Sequence, residues 1–294
     1  MLLNLQEYHR PNDIEEAVTL LRQGGPRTVA LAGGTTLVAS GRRDVEAVVD
    51  LRDLPLSYVR AQGATLCIGA TTTLQQLIDT PEMQTFASGV LAETARAVTG
   101  RNLRNVATVG GTVASAGGDD PLLTALLALD AKLTVYAPES RQIPLAGFLA
   151  YRERLLKDGA LITEVCLPLL IGPLGAAYVG VGRTPRDRPI VCAVARMELA
   201  AGIASNVRLA LGGVAPFPVR AGGSEQLLER KPLSSERIGA AAEKAAAGLA
   251  PTGDFRGSSE YRLEMARVLA RRGLSEASSR ARLVGDAINT RGKE

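Results

Sequence analysis

Two short stretches rich in glycine and threonine are the part of this sequence best suited to chemistry. LAGGTTL covers residues 31–37 and TVGGTVA covers residues 108–114, and each follows a strand-like apolar run. Glycine lets the backbone approach a ligand and adopt a positive φ, so that successive N–H groups can converge on an anion. A threonine hydroxyl adds one more donor. The pair predicts two loops that clamp a diphosphate, and two tight turns at strand–helix junctions remain the alternative.

Side chains that could perform catalysis themselves are scarce. The chain has one histidine, His9, and no GxSxG turn, so neither a two-imidazole site nor a serine hydrolase is expected. Cys67, Cys166 and Cys192 lie far apart in apolar, strand-like runs, and no CxxC occurs. That spacing argues against an iron–sulfur or zinc site built by this chain alone, and it predicts buried thiols. We therefore expect no catalytic side chain, no metal ligands, and chemistry carried by a cofactor.

Composition limits the partners and the compartment. With 294 residues the chain is long enough for two domains, and its net charge is only +4. Aromatic residues make up 3%, without tryptophan, which argues against a surface that stacks nucleic-acid bases. No apolar run is long enough for a membrane span, and the first residues lack the pattern of a signal peptide. We expect a cytoplasmic protein that has no membrane span and binds no nucleic acid.

The order of the predicted elements indicates an α+β fold. Asn12 is expected to cap a helix over residues 11–23, and a hairpin turns at Gln62-Gly63. The remaining predictions up to residue 137 are helices over 71–80, 82–98 and 120–129, and strands over 27–34, 47–54, 106–115 and 131–137. Beyond a linker or crossover over 167–175, three strands predict an antiparallel sheet, followed by helices over 222–230, 235–249 and 258–272 and a charged tail.

The glycine loops do not match the common dinucleotide motifs. No GxGxxG follows the first strand, and GxxxxGK[ST] does not occur. A Rossmann or P-loop domain is therefore excluded, and a diphosphate site would need another fold.

The sequence resembles a known family along nearly its whole length. LAGGTTL, RNLRNVATVGGT and LLALDAKLTVY are similar to segments of the FAD-binding medium subunit of molybdenum hydroxylases, the carbon monoxide dehydrogenase and xanthine dehydrogenase type. The resemblance continues in the expected order through IGATTTLQQL, LITEVCLP, AAYVGVGRTPRDRPIVCAVA, LGGVAPFPVRA and DFRGSSEYR. The last two segments are specific to the C-terminal domain of that family.

The resemblance implies a fold and a set of cofactor-binding residues. Residues 1–170 would form a vanillyl-alcohol-oxidase-like FAD domain with subdomains over about 1–55 and 56–170, and residues 171–294 the C-terminal domain. FAD would lie between the two subdomains. The residues that match or lie near the family's FAD positions are Ala32, Gly33, Gly34, Thr35, Thr36, Leu37, Thr108, Gly110, Gly111, Thr112, Ser115, Asp119, Asp120 and Leu167.

The resemblance also implies an electron-transfer role and two partners. In such enzymes a molybdopterin-binding large subunit oxidises the substrate, and electrons pass through two [2Fe–2S] clusters of a small subunit to FAD. The flavin then reduces an external acceptor. This chain would be an oxidoreductase subunit without activity on organic substrates by itself.

Three positions near the implied cofactor depart from the family pattern. Thr112 stands where Asn is usual, Pro121 where an acidic residue is common, and Val179 where Lys is frequent. Asp119 and Asp120 could replace the acidic contact, or they could cap the following helix. The alternative function is therefore a flavin-free structural or interaction subunit that keeps the fold; a free-standing flavin oxidase has less support.

Overall fold

The computed structural model describes residues 2–169, 172–184 and 187–291. The chain forms two compact units, the first from Met1–Leu77, Gly100–Ala116 and Asp130–Pro168, the second from Ile78–Thr99, Gly117–Leu129 and Leu169–Glu294. The units interleave along the chain, whereas the sequence predicts one cut near residue 170, which stays a prediction. Residues 170 and 171 of the predicted crossover, and 185 and 186 of the AAYVGVGRTPRDRPIVCAVA segment, lie outside the described residues.

The described elements are short except for the last helix. The helices are α1 Ile14–Gln23, α2 Leu74–Asp79, α3 Glu82–Thr85, α4 Val90–Val98, α5 Arg101–Arg104, α6 Val109–Ser115, α7 Pro121–Ala128, α8 Leu145–Lys157, α9 Gly222–Leu228, α10 Ser235–Ala246 and α11 Ser259–Arg291. The strands are β1 Glu7–His9, β2 Thr28–Leu31, β3 Ala47–Asp50, β4 Val59–Gln62, β5 Thr65–Gly69, β6 Lys132–Tyr136, β7 Ser140–Pro144, β8 Leu161–Pro168, β9 Leu174–Val181, β10 Val191–Ala200, β11 Ile203–Gly212, β12 Val219–Arg220 and β13 Lys231–Pro232.

A small parallel sheet opens the first unit, with strand order β1-β3-β2. Its helix α1 buries Ala17, Val18 and Leu21 among apolar residues that include Val49 of β3. The predicted cap at Asn12 is wrong by one residue. Asp13 is extended and its Oδ1 accepts the Glu16 amide at 2.8 Å. A carboxylate at this position also faces the positive end of the helix dipole, which favours aspartate as the cap.

The second sheet of the first unit is antiparallel with order β4-β5-β8-β6-β7. The predicted hairpin is confirmed, because β4 and β5 pair around Gly63, whose φ is +59°. Residues 106–115, predicted as a strand, instead contain helix α6. Amide donations from Val109 to the Thr72 carbonyl and from Gly110 to the Ala70 carbonyl, both 2.9 Å, fix the helix against residues 70–72. These tertiary hydrogen bonds outweigh the weak strand preference of the valines and threonines.

The second unit confirms the predicted three-stranded antiparallel sheet and extends it to the order β12-β11-β10-β9, with β13 on β11. Cys192 of β10 lies 3.6 Å from Thr124 of α7, whereas the next residue, Ala193, faces α11 at Gly273. Neighbouring strand residues point to opposite faces, so α7 and α11 cover opposite sides of the sheet.

Two helix predictions in the second unit are wrong in extent. The helix over 82–98 is interrupted at residues 86–89, where Ala87, Ser88 and Gly89 have φ values of +47°, +56° and +75°. The predicted charged tail after residue 274 is a continuation of α11. Leu274, Ala277 and Ala281 are fully buried, and their spacing of three and four residues gives this helix an apolar stripe along β9 and β10.

None of the helices in the described ranges is both long and apolar enough to cross a membrane.

Candidate functional site

The first glycine loop leaves six successive backbone donors available. Among the described residues, the N–H groups of residues 32–37 find no hydrogen-bond acceptor. The turn is closed instead by later amides, from Val38 to the Gly34 carbonyl and from Ser40 to the Thr36 carbonyl, both 2.9 Å. Gly34 has a φ of +68°, which a residue with a Cβ adopts at a cost. The hydroxyls of Thr35 and Thr36 likewise bond no group in the described part of the chain, so this loop can receive an anion.

Gly33 brings the first loop against the segment that precedes the second loop. A Cβ on Gly33 would overlap the carbonyl group of Val106. This contact is internal to the first unit, since both residues belong to it. The sequence pattern suggests that Gly33 makes room for a ligand. In the structure, a glycine is needed there because the Val106 carbonyl occupies the space of a side chain. The two loops predicted to act together are therefore neighbours.

The second loop has a different construction, because most of its donors are already used. The hydroxyl of Thr108 caps α6 by accepting the Gly111 amide at 3.0 Å, and the Thr108 carbonyl accepts the Thr112 amide at 2.9 Å. The amides of Val109 and Gly110 bond the neighbouring loop, as described above. A Cβ on Gly110 would lie 2.6 Å from that of Ala70, so this glycine serves packing. The amide of Thr108 donates to none of the described residues and remains available.

Arg152 of α8 holds the other end of α6, a role that no motif in the sequence predicts. Its Nη1 donates to the Ala116 carbonyl at 2.7 Å, which satisfies a carbonyl at the end of the helix. Burial lowers the pKa of Arg152, but the group stays charged at neutral pH because an arginine pKa lies so high. Ser115 donates to the Gly111 carbonyl at 2.8 Å and so closes the helix internally. No local sequence signal pairs α8 with α6.

Leu167 lies in the core of the first unit. Its side chain is fully buried in β8, and its partner on β5 is Leu66. Any contribution of Leu167 to a flavin site would act through the position of β8.

Asp119 and Asp120 belong to the second unit and have partners there. Asp119 accepts Arg188 Nη2 at 2.7 Å and Arg256 Nη1 at 2.9 Å. Asp120 caps α7, its Oδ1 accepting the Leu123 amide at 2.9 Å, and it is 3% exposed. Pro121 occupies the first helical position, which suits proline. Of the two roles considered, the structure provides the helix cap for Asp120; a role toward FAD for either carboxylate stays a prediction.

Changing Asp120 to asparagine is expected to remove part of the pH dependence of stability. Burial raises the pKa of Asp120 from 3.8 to about 6, so the folded protein keeps a proton that the unfolded chain has already lost. The contribution of Asp120 to stability should therefore fall as pH rises between these values, by on the order of 3 kcal/mol. Asparagine keeps the capping oxygen without the charge. Urea unfolding of both proteins between pH 3.5 and 8 would measure the difference in slope.

Asp158 provides the control for that comparison, because its side chain is 68% exposed at the end of α8. Asp158→Asn should follow the wild-type stability curve. Parallel curves for wild type and Asp120→Asn would refute the assignment of the pH dependence to Asp120.

The two C-terminal motifs meet at a buried arginine. Arg262 is 4% exposed, and its Nη1 donates to the carbonyls of Ile190 at 2.7 Å and Gly213 at 2.9 Å. Its Nη2 donates to Asp254 Oδ1, also at 2.7 Å, and this contact holds the pKa of Asp254 well below its usual range. Gly213 belongs to the motif LGGVAPFPVRA. Asp254 and Arg262 are the first and last residues of the motif DFRGSSEYR. Both motifs therefore hold together the fold of the second unit.

All three cysteines are free and buried, as the sequence predicts. Burial raises the pKa of Cys166 and of Cys192 to about 12, and it also raises the pKa of Cys67. These thiols are therefore protonated at neutral pH and are poor nucleophiles.

Comparison with known proteins identifies the family. Residues 3–170 match the FAD binding domain in molybdopterin dehydrogenase, and residues 176–277 match the CO dehydrogenase flavoprotein C-terminal domain. The carbon monoxide dehydrogenase medium chain of Hydrogenophaga pseudoflava is 32% identical, with coverage of 93% of this chain and 97% of that protein. The xanthine dehydrogenase FAD-binding subunit of Escherichia coli O157:H7 is 29% identical, with coverage of 95% and 98%.

The fold agrees with these relationships. A solved structure of carbon monoxide dehydrogenase from H. pseudoflava, one that lacks the Mo-pyranopterin moiety, contains a chain that matches with a TM-score of 0.90 and 31% identity. The match covers 95% of this chain and 99% of that one, which confirms the predicted α+β architecture. This chain therefore belongs to the family of FAD-binding medium subunits of molybdenum hydroxylases, of the carbon monoxide dehydrogenase and xanthine dehydrogenase type.

Proposed function

We propose that this chain is the electron-transfer subunit of a molybdopterin-dependent hydroxylase or dehydrogenase. Its partners would be a molybdopterin-binding large subunit and a small subunit with [2Fe–2S] clusters, and an external acceptor would take the electrons. The names of the relatives, a medium chain and an FAD-binding subunit, support an assembly of this kind. The substrate would be defined by the large subunit.

The observation that carries the proposal is the set of unused donors in residues 32–37. A row of backbone amides beside two threonine hydroxyls matches what a phosphate group accepts, and it needs no lysine. FAD carries a diphosphate, and when bound it supplies the capacity to accept and release electrons reversibly. The chain's own residues would bind the phosphates and hold the flavin in position.

The second loop would contribute to the FAD site mainly through the small bulk of its backbone rather than through hydrogen-bond donors. Thr108 caps α6, Gly110, Gly111 and Thr112 lie in its first turn, and Ser115 is its last residue. The glycines reduce the bulk of the backbone there, and the Thr108 amide adds one donor. We place these residues beside the first loop in the proposed site, because Gly33 touches Val106 just before them. Asp119, Asp120 and Leu167 have roles in the fold that account for them without a cofactor.

The first test is the visible spectrum of the purified full-length chain before and after addition of FAD. We expect a flavin band that survives desalting, corresponds to about one FAD per chain, and bleaches with dithionite. The chain alone should show no activity on organic substrates. Anaerobic mixing with a reduced [2Fe–2S] partner subunit would then test whether electrons reach the flavin.

A colourless protein that takes up no FAD would overturn this proposal in favour of the flavin-free structural subunit. The internally bonded amides of the second loop would then be its physical explanation. Bound flavin that the iron–sulfur partner fails to reduce would leave FAD binding in place and reject the proposed electron path.

A further inference from the structure

A second group of side chains that could bind a ligand lies on the antiparallel sheet of the first unit. Cys67 on β5 and Cys166 on β8 stand directly opposite each other, although 99 residues separate them in sequence. Glu164 lies two residues before Cys166, so both side chains leave β8 on the same face. The neighbours Ile68 and Val165 point the other way and are fully buried. The three side chains thus share the face opposite the apolar core.

The ligand atoms of these three residues form one compact cluster. The Cys67 and Cys166 sulfurs are 3.8 Å apart, and Glu164 Oε2 is 3.1 Å from the Cys166 sulfur. All three ligand atoms lie within 4.8 Å of one another. We propose that Cys67, Cys166 and Glu164 bind one divalent cation of intermediate softness, for which Zn²⁺ is the best match, and that this cation clips β5 to β8.

The distance between the two sulfurs is the one that a tetrahedral ion requires, and Glu164 would move slightly from its present hydrogen bond with the Cys166 thiol to join them. Zinc–sulfur bonds of about 2.3 Å at a tetrahedral angle place two sulfurs about 3.7 Å apart. A disulfide would need about 2.05 Å, so the pair is spaced for a bridging atom. Two sulfurs in simple van der Waals contact lie about equally far apart, so their distance alone does not indicate a metal site. The carboxylate of Glu164 beside them is what favours a metal site over a simple contact. A carboxylate beside two thiols adds a hard anionic ligand, which favours Zn²⁺ over Cu⁺.

The surroundings of Glu164 resemble an outer shell that orients a ligand. Tyr58 donates its hydroxyl to Glu164 Oε1 at 2.8 Å, which leaves Oε2 on the side of Cys166. Thr134 Oγ1 lies 3.3 Å from the same Oε2, and Arg60 approaches Oε1 at 3.7 Å. Outer hydrogen bonds of this kind fix the orientation of metal-binding carboxylates. The two cysteines are 4% and 3% exposed, while the Glu164 side chain is 13% exposed and provides the access.

Charge and protons balance for this site. Binding of Zn²⁺ converts the two thiols into thiolates and releases two protons. The complex of Zn²⁺ with two thiolates and one carboxylate carries one negative charge, and Arg60 provides a nearby positive charge. Three protein ligands leave a fourth tetrahedral position, which water or Gln62 Oε1, 3.9 Å from the Cys67 sulfur, could fill. The site departs from the expectation that this chain binds no metal.

The test uses Co²⁺ as a spectroscopic probe on the full-length, reduced and chelator-treated chain. We expect one Co²⁺ per chain with a thiolate-to-cobalt charge-transfer band, displaced by equimolar Zn²⁺. Cys67→Ser and Cys166→Ser should each lose at least half of the band, and Glu164→Gln should weaken Co²⁺ binding about tenfold or more. Cys192→Ala is the matched control, since its thiol lies beside Thr124 in the second unit, and it should keep the full band.

A second measurement avoids any folding defect of the variants. In the wild-type chain, Zn²⁺ should slow alkylation of Cys67 and Cys166 by at least tenfold and leave that of Cys192 unchanged, as read by mass spectrometry. The proposal is wrong if no band appears or if Cys67→Ser retains it in full. It is equally wrong if Zn²⁺ protects none of the cysteines or all three alike, or if the pair oxidises to a disulfide without taking up metal.

Discussion

Replacing Gly33 with alanine is expected to reduce the retention of FAD at least tenfold and to destabilise the first unit. The new Cβ would overlap the carbonyl group of Val106, and a backbone carbonyl cannot turn away as a flexible side chain can. The first loop would have to move away from the start of the second loop. Overpacking of this kind costs about 3 kcal/mol, the upper end of the usual range.

The effect on FAD should exceed the effect on stability. Residues 32–37 present their donors because the loop lies in one position, and Gly33 is among those donors. A shift of about 1 Å separates hydrogen-bond donors from a phosphate, since such bonds extend over only about 2.7–3.2 Å. We expect retained FAD to fall at least tenfold, measured from the flavin absorbance after desalting of reconstituted protein.

Gly100 supplies the matched control within the same unit. It has no neighbour within 4 Å of an added Cβ, and its φ of −67° is accessible to alanine. Gly100→Ala should retain FAD and unfold within about 0.5 kcal/mol of the wild type. Equal retention of FAD by Gly33→Ala and Gly100→Ala would contradict the role assigned to the Gly33–Val106 contact.

Replacing Arg262 with leucine is expected to destabilise the second unit by about 2–4 kcal/mol, because two backbone carbonyls would lose the buried donor that serves them. The guanidinium joins the residue before β10, the residue after β11 and the loop before α11, through Ile190, Gly213 and Asp254. Leucine would leave two carbonyls and one carboxylate without this donor. Unsatisfied buried acceptors cost about 1–3 kcal/mol each, so the loss cannot be offset by the apolar surface gained.

Urea unfolding at pH 7 would measure this loss, with Arg271→Leu as the control. Arg271 lies on the same helix but is exposed, so its replacement should change stability by less than about 0.5 kcal/mol. A loss below about 1 kcal/mol for Arg262→Leu would show that the buried hydrogen bonds of Arg262 do not hold these segments together.

Local patterns in the sequence were sufficient for several elements. The hairpin at Gln62-Gly63 was predicted correctly because a glycine with positive φ and alternating apolar residues fix its turn and register. The β9–β10–β11 sheet was also predicted correctly, since long apolar strands with short connections pair with their neighbours. The order of motifs along the chain identified the family, and with it the α+β fold and the FAD-binding domain.

Elements governed by contacts from elsewhere in the chain were predicted less well. Residues 106–115 look like a strand, yet hydrogen bonds to residues 70–72 make α6 the stable state. The sequence at the end of α11 has too many charges to predict a helix packed against a sheet. Leu274, Ala277 and Ala281 nevertheless form a narrow apolar stripe, which is buried against the sheet of the second unit. A stripe of one leucine and two alanines is too weak a periodic pattern to predict a buried helix face from sequence.

The sequence by itself determined the family, the two glycine loops and the scarcity of catalytic side chains. Only the tertiary structure decided which loop amides remain available, because a hydrogen bond to a distant carbonyl leaves no trace in local spacing. The pairing of β5 with β8 likewise decided that Cys67 and Cys166 meet beside Glu164. Ligands from strands far apart in sequence have no motif spacing, since strand register, rather than distance along the chain, brings their side chains together.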